Sequence, residues 1–393
     1  MKPPLLASAL LALLAACAPL PRQAPAPTAA APAQLRVIGV QTLDFSTRYA
    51  DTLVGGLSGI DYDPVQQRYI AISDDRATHD PARAYTLALH YSASALEPPR
   101  WTGVRFLQHD SGQRFAPQHR AIDGMDVPDA EAVRWLPGSS DFLWSSEGDF
   151  RRGFGPQLRR SRWHDGSVQR HYPLPQSFTP DPQKRQGPRA NGTLEGIALT
   201  PDGRSAWLAM ELPWWQDGAR ASPSDPGAPV RLTAIDLASG DALRQIAYQP
   251  DAVPQQPLVQ WGQYLQGVSE ILADGPHHLL VLERAYSLGQ GFHARLYRID
   301  TRQGSNTLAL PALRPGNHEV APKTLVADLA DLGLGSIDNL EGMTWGPDLP
   351  GGGCVLILVS DNNFNPAQRT QFIAAQYLPP GQDPAQCQRM PAP

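Results

Sequence analysis

The chain has 393 residues, 41% of them hydrophobic, and a formal net charge of −5. Its only lysines are Lys2, Lys184 and Lys323, and no basic block occurs, so the composition excludes a protein that binds nucleic acid through a cationic surface. About 360 residues lie beyond the N-terminal segments, enough for one large repeat domain or two ordinary ones.

Residues 1–17 read as an export signal. Lys2 supplies the charged start, residues 5–14 the apolar stretch, and Leu14-Ala15-Ala16-Cys17 a small-residue cleavage site. The apolar stretch is too short to span a bilayer as a helix. The Leu-Ala-Ala-Cys ending resembles a bacterial lipobox, which implies lipidation of Cys17. Ala18 is not the acidic residue associated with inner-membrane retention. The expected location is therefore the cell envelope, facing the periplasm, with the outer membrane favoured. Residues 18–34 are mostly Ala and Pro and read as a tether.

Residues 35–393 form the folded part. A β-hairpin recurs in it five times. Residues 193–199 form an apolar strand with Glu195 near its start. Pro201-Asp202-Gly203 makes the turn, and residues 205–210 return to Glu211. The other copies open at Ser58, Glu131, Ser269-Glu270 and Glu341. They close at Asp74-Asp75, Glu147, Glu283 and Asp361. Their starts are separated by 73, 64, 74 and 72 residues, a period that points to a solenoid, propeller or array. Further strand-like runs at 84–89, 231–237, 295–300 and 371–378 follow the hairpins as third strands.

The expected fold is all-β, a β-propeller of five or six blades with five visible repeats. The early strand at 35–43 closes the last blade and removes its open edge. A pair of β-sandwiches is the competing arrangement, but it leaves the repeated register unexplained. Cys354 and Cys387 are the cysteines left besides Cys17, and in an exported chain they are expected to pair.

Antiparallel pairing puts the first residue of each hairpin beside its last. In a propeller the opening residues and closing acids then meet at one end of the axis. Asp129, Asp149, Asp338 and Asn339 join them from neighbouring positions. So many carboxylates in one mouth must be protonated, paired with arginine or bound to a cation. An oxygen-only ligand set favours Ca²⁺ or Mg²⁺ over zinc. The candidate metal ligands are Asp74, Glu131, Glu195, Glu341 and Asp361. Arg76, Arg151 and Arg189 are the candidate contacts to an anionic substrate, and Glu195 and Arg284 the candidate catalytic groups. Recurrent carboxylates can equally brace the blades by accepting backbone N–H bonds, and that alternative stays open.

The runs Leu57-Ser-Gly-Ile, Asp129-Ala-Glu131-Ala-Val, Asn191-Gly-Thr-Leu-Glu195-Gly-Ile and Asp338-Asn-Leu-Glu341-Gly-Met, with Ser73-Asp74-Asp75 and Ser360-Asp361-Asn362-Asn363, resemble the phytase-like domain family, labelled "esterase-like activity of phytase". The resemblance covers residues 38 to 380. It implies an exported β-propeller that hydrolyses phosphate or other esters with calcium. Glu131, Glu195 and Glu341 match the family's Glu-Gly positions, and Asp74, Asp75 and Asp361 its strand-end acids. Ser58 stands where a Glu is expected, Ala132 replaces Gly, and Ser269-Glu270 shifts the acid by one. The function this implies is a metal-dependent phosphoester hydrolase. It would be monomeric, act on a phosphorylated small molecule and touch the membrane only through its lipid. A non-catalytic propeller that binds a ligand or protein, and a metal-dependent lactonase, are the alternatives.

Overall fold

The computed structural model describes residues 34–259, 261–350 and 352–378, which fall within one compact unit. The export signal, Cys17, nearly all of the tether and Cys387 lie outside the described residues. Five four-stranded antiparallel sheets are the blades. Blade 1 comprises Leu57–Asp63, Arg68–Ser73, Arg83–Ala88 and Arg100–Phe106. Blade 2 comprises Ala130–Trp135, Asp141–Ser146, Gln157–Arg162 and Val168–Tyr172. Blade 3 comprises Leu194–Leu199, Ser205–Met210, Val230–Asp236 and Ala242–Tyr248. Blade 4 comprises Tyr264–Ala273, His278–Ser287, Gly291–Asp300 and Lys323–Asp328.

Blade 5 takes Asn339–Gly346, Cys354–Asp361 and Gln371–Leu378 from the C-terminal end and Gln34–Thr42 from the N-terminal end. Leu35 pairs with Tyr377 and Thr42 with Gln371. The expected closure is therefore present, and the number of blades resolves to five. Cys354 is buried and disulfide-bonded.

Apolar side chains on facing sheets form the cores between blades. Ile60, Tyr85 and Leu87 of blade 1 meet Val355, Ile357 and Phe372 of blade 5. Ile70 and Ile72 on the other face of blade 1 meet Val133, Phe142 and Trp144 of blade 2. A sheet covered on both faces needs continuous apolar strands rather than alternation. Ala130–Trp135 and Leu194–Leu199 are accordingly buried along their whole length.

The innermost strands converge on Arg134, which is 2% exposed. Its guanidinium donates to the carbonyls of Ile60 (2.7 Å), Ile197 (2.6 Å) and Ile271 (3.0 Å), in blades 1, 3 and 4. Nη2 also lies 2.7 Å from Glu270 Oε2. Asp61 accepts from the Trp135 amide and the Thr344 hydroxyl, both at 2.8 Å, and so draws in blade 5. The backbones can approach this closely because glycine stands at the contacts. A Cβ on Gly59 would lie 2.7 Å from the Glu131 carbonyl oxygen, and one on Gly196 2.8 Å from the Ile271 nitrogen.

Replacing Arg134 strands three carbonyls and one carboxylate in a dry interior. Arg134→Met is expected to cost about 3–5 kcal/mol in urea unfolding, with partial recovery when Glu270→Gln is added. A wild-type unfolding midpoint for the single variant would refute the hub.

Candidate metal-binding site

Each innermost strand slips register against its neighbour at the same height. The slips fall between Leu57 and Gly59, Ala130 and Val133, Leu194 and Gly196, Val268 and Glu270, and Leu340 and Gly342. Such a bulge leaves a residue out of the ladder and re-aims its side chain. The residues set free are Ser58, Glu131 with Ala132, Glu195, Ser269 and Glu341. On the returning strands, Ser73, Ser146, Met210, Glu283 and Ser360 pair with the residue before each slip. The next residue therefore emerges beside the bulge: Asp74, Glu147, Glu211, Arg284 and Asp361.

In the fourth repeat this register corrects the expectation from the sequence: Glu283, the expected closing acid, pairs with Val268 one place short of the axial position. Glu283 instead accepts from the Tyr248 hydroxyl, the Asp251 amide, Gln266 and Lys323. Arg284 occupies the axial position. Its Nη1 is 3.1 Å from Glu211 Oε1 and its Nη2 3.1 Å from Glu341 Oε1. Burial works against the Arg284 charge, but the surrounding carboxylates outweigh it and raise its pKa.

Eight carboxylates share this pocket: Asp74, Asp129, Glu131, Glu147, Glu195, Glu211, Glu341 and Asp361. Burial is the largest cause that raises the pKa of each; repulsion among them adds to it for all but Glu341, where Arg284, Asn339 and Ser58 oppose the rise. Asp129 is pushed up to about 6 and Glu147 to about 8.

Several of the eight have partners. Arg76 lies 3.0 Å from Asp129. Glu147 Oε1 accepts from the Gly192 and Thr193 amides at 2.6 Å. Glu341 accepts from Asn339 Nδ2 at 2.7 Å, and Asp361 from the Asn363 amide at 2.7 Å. The Asp74, Glu131 and Glu195 carboxylates accept no hydrogen bond and form no ion pair among the described residues. Asp74 Oδ1 is fully enclosed and unsatisfied.

Asp129, Glu131 and Glu147 each offer an oxygen, and these atoms lie within 4.8 Å of one another. Two charges at that separation repel by about 3–4 kcal/mol at an effective dielectric near 20. Removing this repulsion takes protons or a cation. The three acids could hold a metal ion, and donors that are all oxygen suit a hard one. Of the five acids expected from sequence, Glu131 belongs to this triad. Asp74, Glu195 and Glu341 lie within electrostatic reach of it, and Asp361 within reach of Asp74 and Glu341.

The arginines separate into distinct roles. Arg76 bridges Asp129 and Asp149. Arg151 is exposed and bonds nothing among the described residues, while Arg152 turns inward to Asp149. Arg189 donates to the Pro213 and Gly218 carbonyls and lies 3.7 Å over the Trp215 ring, which ties down a loop. Arg220 belongs to none of the repeated hairpins and carries no motif signal in the sequence. It is exposed, free of hydrogen bonds and ion pairs among the described residues, and close enough to Glu211 to lower its pKa. Asp75 accepts from three loop amides and Arg83, so its task is to hold that loop.

The family model described as "Phytase-like: Esterase-like activity of phytase" matches residues 52–364. No curated protein matches the chain. Among solved structures, similarity extends to an alpha-L-arabinofuranosidase from Lactobacillus brevis, at 9% identity and a TM-score of 0.43, covering 86% of this chain and 98% of that one. A xylan beta-1,4-xylosidase from Bacillus halodurans C-125 has 11% identity and a TM-score of 0.41, covering 83% of this chain and 54% of that one. A bifunctional GH43-CE protein from Bacteroides eggerthii has 8% identity and a TM-score of 0.43. That match covers 84% of this chain, which spans about a third (34%) of the other protein's length.

Carboxyls raised above their unfolded values stabilise the fold at low pH and lose that contribution as pH climbs through the raised values. In chelator, the Tm is expected to fall from about pH 4.5 to about pH 8, the window set by ordinary carboxyls below and Glu147 above. Saturating Ca²⁺ is expected to flatten the fall, and Glu131→Gln to raise the chelator Tm while shrinking the calcium response. A chelator Tm that rises across this range would contradict the charge assignment.

Proposed function

The chain belongs to the phytase-like family, and from that premise we propose that the axial pocket is the site of a metal-dependent phosphoester hydrolase, with calcium as the cation, anchored at the cell envelope through lipidated Cys17. The observation that carries this reading is the trio Asp74, Glu131 and Glu195, the first half-buried and the other two buried, none of which accepts a hydrogen bond or forms an ion pair among the described residues. A structural acid in this protein looks different: Asp75 and Glu283 have donors to both carboxylate oxygens.

Asp129, Glu131 and Glu147 would hold the cation, with Asp74, Glu195 and Glu341 close enough to complete or tune the site and Asp361 acting on it through Asp74 and Glu341. When bound, the cation would neutralise phosphate charge and polarise the P–O bond. The chain's own groups would supply the rest. Glu195, free of hydrogen bonds, is the carboxylate available to orient a water and take its proton. Glu341 is less available, because Asn339 and Arg284 both engage it. Arg284, fixed between Glu211 and Glu341, keeps a positive charge in the pocket wall. Arg76 and the unpaired Arg220 stand at its edge as donors for phosphate oxygens, a role guanidinium forks fill well. The substrate class is a phosphorylated small molecule.

The deciding measurement is phosphate release from phytate and from an aryl phosphate, in calcium and in chelator. Calcium-dependent release is expected, with Glu195→Gln lowering kcat about 10²–10⁴-fold. Arg220→Gln is expected to raise KM several-fold with little change in kcat, since it leaves the buried network intact. Release that persists in chelator, or an undiminished Glu195→Gln enzyme, would refute the mechanism. Turnover confined to a lactone panel would replace phosphoester chemistry with lactonase chemistry, and folded protein inert on every ester would favour a binding propeller.

A further inference from the structure

A second charged site lies at the other end of blade 1. The bulge at Ser58 and the carboxylate of Asp74 mark the axial end of that blade. Gln66 and Gln67, in the turn between its first two strands, mark the opposite end. Beside this turn a groove of about 470 Å³ runs across the outer strands of blade 1 to Trp163 of blade 2. Arg68, Arg100 and Arg105 line it, together with Trp163, Thr102 and Gln67, and no acidic residue does.

Several shielded arginines elsewhere in this molecule have carboxylates, and Arg189 has carbonyl acceptors. Arg83 pairs with Asp75, Arg231 with Asp217 and Arg298 with Asp274. Arg68 and Arg105 do not. Among the described residues neither guanidinium donates a hydrogen bond or forms an ion pair, and both Nε atoms are buried without a partner. Their contacts are with rings: Arg68 lies 4.5 Å from the Trp135 centroid and 5.6 Å from that of Trp163, and Arg105 5.7 Å from Trp163. Burial works against the Arg68 charge, and Asp63 is the carboxylate that opposes this loss. Asp63 in turn holds the Val65 and Gln66 amides through Oδ1. Arg100 is exposed and unpaired among the described residues.

Indole faces therefore hold two guanidiniums in place while leaving their hydrogen-bonding capacity unused, beside a third that is free. A groove of this volume is in the range of small-molecule sites. We propose that it binds a small organic or inorganic oxyanion carrying at least two negative charges, received by the Arg68, Arg100 and Arg105 forks with Trp163 as the apolar wall. The site is separate from the axial pocket and needs no metal.

The test titrates the full chain in chelator, at constant ionic strength, with pyrophosphate and separately with citrate. Both are compact polyanions, and comparing them separates a phosphate from a carboxylate ligand. Heat of binding and tryptophan fluorescence are read together. At least one anion is expected to bind, and the fluorescence change is expected to vanish in Trp163→Phe. Arg68→Gln and Arg105→Gln should each weaken binding about tenfold or more, and exposed Arg100→Gln, which removes no buried contact, several-fold. Glu195→Gln in the axial pocket should leave affinity unchanged. Binding of neither anion would overturn the proposal. So would affinity unaltered by Arg100→Gln and by an Arg68→Gln/Arg105→Gln double variant, or variants that lower only the Tm, because the arginines would then serve to brace Trp163.

Discussion

A single guanidinium at the axis sets the terms for everything above it. Arg134 takes up carbonyls from three innermost strands and pairs with Glu270. Those carbonyls belong to residues two positions beyond the bulges at Ser58, Glu195 and Ser269, so the guanidinium lies just beneath the carboxylate layer. Its donors are committed there, and it does not neutralise the acids above. Hydrogen-bonded ionic groups in a dry interior give an axis little freedom to adjust. The pocket therefore inherits a fixed floor, and its excess charge must be handled by what enters from the open side.

The five bulges make the pocket a product of backbone register rather than of loops. Sites carried on strands hold their geometry more tightly than sites carried on loops. The fivefold pattern is nevertheless broken in charge. Blades 2, 3 and 5 bring Glu to the bulge, whereas blades 1 and 4 bring Ser58 and Ser269. Blade 4 also brings Arg284 where every other blade brings an acid. Negative charge is thus densest at blades 2 and 3 and partly offset on the side of blade 4. That asymmetry gives a cation and an anion different places to sit in one pocket. A symmetric ring of ten acids would attract cations and repel phosphate.

The repeat and its acids were legible because both are periodic: an apolar strand, a Pro/Asp/Gly turn and a second apolar strand recur with an acid at each end. The closing strand at 35–43 was legible because an unpaired edge demands it. The outer strands were less so. Gln157–Arg162 carries three arginines in six residues, and its buried Arg159 is compensated by Asp126, a partner that spacing does not reveal. Blade 4 departs from the count because its turn is one residue shorter than in blades 1 to 3, and Glu283 next to Arg284 offers a plausible acid one place early. Arg134 did leave a signal. A charged residue inside the strand Ala130–Trp135, otherwise suited to full burial, must find partners for its donors, and the carbonyls at the axis are the nearest supply.

The same criterion, whether a buried charge is satisfied, divides the acids by purpose. Asp75, Glu283 and Asp217 are each held by several donors, and their positions follow from folding alone. Asp74, Glu131 and Glu195 lower the stability of the metal-free fold, because burial and repulsion from neighbouring acids oppose their ionisation, an effect the Arg284 charge offsets in part for Glu131 and Glu195. Apolar or amide side chains at these positions would relieve that penalty without changing the blades. Glu131 belongs to a triad whose oxygens already converge and could hold a metal ion, and Asp74 and Glu195, within electrostatic reach of that triad, are likewise not spent on bracing the blades. The fold's stability and its chemistry then meet in the same equilibrium, since any ion that binds this pocket removes the largest electrostatic cost the axis carries.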